Sequence, residues 1–125
     1  MSKTDNWKNS ERYWARTLQK YKVPAKRISR GSNYSISTYD VEVENHPEII
    51  SDSKYSQSRP FRISGLLREI KNKYCKNKND LALLYTRNYK EHGGLISMDE
   101  VWAAKLISVY FCFATREEVE NISNE

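Results

Sequence analysis

The chain has 125 residues, with 21 Lys+Arg against 16 Asp+Glu for a formal net charge of +5, and 38% of it is apolar. That length suits a single core, hardly a second one with a cleft between domains, so one domain over 1–125 is expected. No apolar run approaches the roughly 18 residues needed to cross a bilayer, and an amino terminus rich in Ser, Lys, Asn and Asp lacks the apolar segment of a signal peptide. A cytoplasmic chain with no membrane partner is expected. Cys75 and Cys112 form no CxxC pair and read as buried structural thiols, while two histidines, His46 and His92, leave little for a His-based zinc site. Charge is unevenly placed: residues 1–98 hold 19 Lys+Arg and 10 Asp+Glu, a balance of +9, and residues 99–125 hold 2 and 6, a balance of −4. A basic body fits a phosphate-backbone partner, because neutralised phosphates release counterions.

In chain order, Ser10 reads as an N-cap, and Trp14, Ala15, Leu18 and Tyr21 fall on one stripe of a helix over about 11–21. Val23-Pro24-Ala25 ends it, and an extended segment runs to Ile28. Residues 29–38 read as a loop, and Tyr39–Val43 and Glu48–Tyr55 as strands joined by the turn chemistry of Asn45-His46-Pro47. Ile63, Leu66, Leu67, Ile70 and Tyr74 recur at helical spacing, predicting a second helix over about Arg62–Cys75. A polar break follows, then a buried strand at Asp80–Thr86, a turn at His92-Gly93-Gly94 and a strand at Leu95–Met98. Asp99 reads as the cap of a third helix carrying Val101, Trp102, Leu106 and Val109; Val109–Phe113 fits helix or strand, and the acidic tail is expected to fray. Trp14, Trp102, Phe111 and Phe113 read as core. The order predicts an α/β fold, a central mixed sheet flanked by helices, with its core over about 10–107 and a carboxyl-terminal extension beyond.

Alternate residues of a strand share a face, so Ile50, Asp52 and Lys54 project together. Asp40, twelve residues before Asp52, is where a tight hairpin would bring the two carboxylates level. Hard carboxylates that leave room for water and phosphate suit a magnesium-type ion, and Lys54 would then stand beside the water or the phosphoryl oxygen. For an isolated Asp-x-Lys, a triplet that occurs by chance in most proteins, a cross-strand ion pair on a solvated face is the commoner explanation. Glu11 sits at the edge of the first apolar stripe, as a metal ligand or as an acid favoured by the helix macrodipole. Arg27, Arg30, Gly31 and Ser32 form a basic flexible segment, and Tyr55-Ser56-Gln57-Ser58-Arg59 offers donors and one aromatic; each fits a sugar-phosphate contact or an ordinary surface loop.

The succession S-E-R, K-R-I-S-R-G-S, Y-D-V-E-V and I-I-S-D-S-K, followed by an amphipathic helix and a hydrophobic strand, resembles the PD-(D/E)xK nuclease superfamily, and within it the archaeal and viral Holliday junction resolvases. The resemblance covers about 10–107. Tyr39 stands where proline is common, and Asp52 where these resolvases usually carry glutamate. It implies a restriction-endonuclease-like fold, with Glu11, Asp40 and Asp52 as ligands for Mg2+ or Mn2+ and Lys54 as the catalytic lysine. Gly31 and Ser32 would be the mobile Gly-Ser segment, Ser32 counted among the catalytic residues. The implied partner is branched DNA, a four-way junction cut by a homodimer without a small-molecule cofactor. Arg27, Arg30, Gly31, Ser32, Tyr55, Gln57, Arg59 and Arg62 would contact it, and Lys71 belongs to the same basic body. Two readings compete: another nuclease of this superfamily acting on duplex DNA, and a non-catalytic basic module whose carboxylates pair surface lysines.

Overall fold

The computed structural model describes residues 3–28, 39–56, 61–88 and 93–122. In order they form α1 (Lys3–Lys20), β1 (Ala25–Arg27), β2 (Val41–Val43), β3 (Ile49–Ser56), α2 (Ile63–Tyr74), β4 (Leu81–Asn88), β5 (Leu95–Ser97), α3 (Glu100–Tyr110) and α4 (Arg116–Glu120). The five strands make one sheet in the order β1-β2-β3-β4-β5. Only β3 and β4 are parallel; every other neighbouring pair is antiparallel. The expected α/β architecture, a mixed sheet flanked by helices, is the one observed.

The helices cover opposite faces of the sheet. Ala15 of α1 packs with Ala25, Val41 and Val43, joined by Trp14, Leu18, Val23 and Ile49. Leu67 and Ile70 of α2 pack with Ile50, Ala82 and Leu84, joined by Tyr39, Ile63, Leu66 and Tyr74. Between the two layers β4 is buried from Leu81 to Arg87, as a strand covered on both faces must be, and this explains its unbroken apolar start. Side-chain alternation along β3 divides its residues between the layers. Ile50 turns to α2, whereas Ser51 turns to α1, where its Oγ accepts a 2.7 Å hydrogen bond from Trp14 Nε1.

Several expectations are corrected. α1 begins at Lys3, so Ser10 lies inside the helix, fully buried, and does not cap it. The helix instead stops on Lys22 in the left-handed region (φ 73°), with Val23 N donating to Leu18 O (2.9 Å) and Lys22 N to Gln19 O (3.0 Å), the paired bonds of a Schellman ending. Asp99 occupies the N-cap of α3 without a side-chain capping bond; its carboxylate takes Lys71 instead, at 2.6 Å. Residues 109–113 finish the helix and turn, and the acidic tail forms α4, opened by a capping box between Thr115 and Glu118. Phe111 and Phe113 are exposed rather than core, and Trp102 is only half-buried. Neither thiol is buried, Cys75 being half-exposed and Cys112 exposed. No described helix is long and apolar enough to cross a membrane.

Candidate active site

The β2–β3 hairpin fixes the first pair of groups. Val41 pairs with Ser51, so one step along an antiparallel ladder sets Asp40 opposite Asp52, as the twelve-residue spacing requires. Both carboxylates are buried, at 7% and 6% exposure. Asp40 Oδ2 accepts a 2.9 Å bond from the Ser53 amide, and the two side chains hydrogen-bond each other. Burial raises both carboxyls above the usual range. Asp52 reaches about 7, pushed first by desolvation and then by the hydrogen bond and charge of Asp40. Lys54 opposes this from the same face of β3, its Nζ 3.6 Å from Asp52 Oδ2.

α1 brings the third acid. Glu11 is buried beside Asp40, whose proton affinity it raises further, and its Oε2 accepts a 2.5 Å bond from Arg27 Nε of β1. The four groups open into a cleft of about 500 Å³ between the hairpin and α2, lined also by Tyr55, Glu69, Lys73 and Tyr74. A larger hollow of about 710 Å³ lies beside the hairpin turn, lined by Pro24, Lys26, Glu42 and His46. It contains no converging buried acids, so the chemistry belongs to the smaller cleft.

The structure thus brings Glu11, Asp40, Asp52, Lys54, Arg27 and Tyr55 together. Arg27 is present as the partner of Glu11 rather than as an open cation, and Lys71 is likewise engaged by Asp99. Arg62 is exposed ahead of α2 and does not line the cleft. Arg30, Gly31, Ser32, Gln57 and Arg59 lie outside the described residues. Glu69 and Lys73, an i,i+4 ion pair at 3.0 Å, reach the cleft although sequence reasoning passed over them. Their spacing alone marked an ordinary solvated helix face; the usable signal was their position one turn from Leu66 and Ile70 on the side facing the Asp-x-Lys strand.

The donor set fits a hard divalent cation in one respect. Two carboxylates forced together in a buried place bind protons more tightly than they should, and a dication between them would offset both burial and mutual repulsion. The third acid is committed to Arg27, and among the described residues no group of three or more His, Cys, Asp or Glu side chains is arranged to hold a metal. Asp40 and Asp52 are therefore the minimal set. Comparison with family models, with curated proteins and with solved structures returns no match for the chain.

Proposed function

We propose that the chain is a metal-dependent endonuclease that hydrolyses phosphodiesters in branched DNA, a four-way junction being the substrate. The observation that carries this reading is the buried Asp40–Asp52 pair, with Lys54 on the same strand face, at the wall of an open cleft. Asp40 and Asp52 would hold Mg2+ or Mn2+, with Glu11 behind them. The bound cation would supply charge against the phosphate and acidify an attacking water. Lys54, exposed enough to leave Asp52 for a phosphoryl oxygen or the water, would orient that water and stabilise charge developing on the phosphate. The basic body supplies backbone contacts that read shape rather than base sequence.

A second reading has an observation of its own. Glu11 with Arg27 and Asp52 with Lys54 already form closed ion pairs, as a non-catalytic basic module would have them. Cleavage of a synthetic four-way junction, its component duplexes and a linear duplex, with and without magnesium, separates the readings. A junction resolvase makes paired symmetrical nicks only in the junction; a duplex nuclease cuts all three; a binding module cuts none and shifts the junction in a salt-sensitive way. Asp52→Asn and Asp40→Asn are each expected to lower cleavage at least about 100-fold while junction binding persists. Normal cleavage by Asp52→Asn would remove the site assignment.

A further inference from the structure

Beside the carboxylate cleft stands a cluster that the hydrolytic reading does not use. Arg87, next to last in β4, is buried to 9% exposure, and its Nε donates a 2.9 Å hydrogen bond to Ser10 Oγ of α1. Its guanidinium carbon lies 4.9 Å from the centre of the Tyr13 ring and 5.3 Å from that of Tyr55. Tyr55 pairs with Arg87 across the parallel β3–β4 ladder and lines the cleft, while Tyr13 is 45% exposed. One anchored cation therefore holds two rings on the α1 side of the sheet, the face opposite Asp52 and Lys54. They lie at the carboxyl ends of the two parallel strands, where open α/β sheets offer their crevice to ligands.

Resting on the nuclease reading above, the geometry points to a stacking platform for an unpaired nucleobase, built from Tyr13 and Tyr55 and clamped by Arg87. A guanidinium near the ring's π-face restrains its position through the cation–π attraction, so the exposed tyrosine is presented as a fixed flat surface. Bases stack on such rings without regard to sequence. A continuous duplex keeps its base faces covered, whereas a branch point or a frayed end can present one. The platform would thus favour branched or unpaired DNA.

The test is fluorescence anisotropy in EDTA, using a labelled thymidine 12-mer and an abasic strand of equal length and charge. The wild-type chain is expected to bind the thymidine strand about tenfold more tightly than the abasic one. Tyr13→Ala should bring the two affinities together without weakening the abasic complex, and Tyr13→Phe should keep the preference. Equal wild-type affinities, an unchanged preference in Tyr13→Ala, or loss of abasic binding in that variant would each overturn the platform. Cleavage in magnesium is read separately. A junction-cutting chain with no base preference sinks the platform alone, and a base preference without cleavage sinks the nuclease reading alone.

Discussion

Asp52 carries its raised proton affinity as a cost to the folded chain. Its carboxyl, near 3.8 when unfolded, titrates at about 7 when folded, so the folded state binds the extra proton across that interval. The stability this group contributes is fully present below the lower value and is lost as pH rises through the upper one. In EDTA we expect thermal stability to fall between about pH 4 and pH 7, and Asp52→Asn to flatten that fall and to be the more stable form at the alkaline end. Magnesium should raise the melting temperature at about pH 8 and barely at pH 5, where protons compete for the same oxygens. A wild-type profile already flat in EDTA would contradict the assignment. At the same scale, Arg27→Met leaves Glu11 buried without its cation and is expected to cost about 3 kcal/mol in urea unfolding, most of it recovered by adding Glu11→Met. The Asp-x-Lys face and the level of Asp40 were legible, because strand alternation and hairpin spacing are local rules. Arg87 was not, since what it touches in α1 lies 77 residues away at Ser10.

Elements were legible where their signal was periodic and lost where it was compositional. α2 follows from its apolar spacing to within a residue at each end. α1 was read eight residues short, because Asn and Ser compete with the helical backbone for hydrogen bonds and make such a segment look like a lead-in to a cap. The ending of α1 departs from the usual rule as well, placing Lys22 where glycine is preferred. Lys22→Gly is expected to change stability by less than about 1 kcal/mol, in the stabilising direction, whereas most glycine substitutions destabilise; chemical denaturation reads the sign. Gly94, ahead of β5, is held by close approach. A methyl added there would sit 2.7 Å from the Thr86 carbonyl oxygen and collide with the Tyr85 ring. Gly94→Ala should cost about 2 kcal/mol and lower the hydrogen-exchange protection of the β4–β5 ladder before that of β3–β4.

For the molecule as a whole, the unequal charge along the chain becomes an unequal charge in space. Glu48, held below the usual range mainly by the His46 hydrogen bond, also feels Arg116, so the start of α4 lies within electrostatic reach of the residue that precedes β3. The other large asymmetry is apolar. α3 buries none of its residues fully, and Val101 (51%), Ile107 (54%), Tyr110 (80%), Phe111 (63%) and Phe113 (80%) stand exposed on or just beyond it. An apolar patch of this kind is the expected material of the proposed homodimer. The wild-type chain should sediment as a dimer at micromolar concentration, and Phe113→Asp with Tyr110→Asp as a monomer that still binds a single DNA arm; a monomeric wild type would count against it. The apolar excess of Ile107–Phe113, more than one helix face would bury, was legible as interface material; that Phe111 and Phe113 stand outside the core was not, since an apolar residue reads as buried whether its cover is the same chain or another.

The span between Ser10 and Arg87 also bears on when the site comes into being. Ser10 and Tyr13 of α1 meet Arg87 of β4, 77 residues from Ser10, so the Tyr13–Tyr55 cluster forms only once the first helix and the fourth strand are together. That contact is non-local and slow by the logic of contact order, whereas Asp40 and Asp52 are brought level by a hairpin and Glu11 is held by Arg27, 16 residues away. The paired aspartates are thus expected to come level before the aromatic cluster beside α1 is assembled.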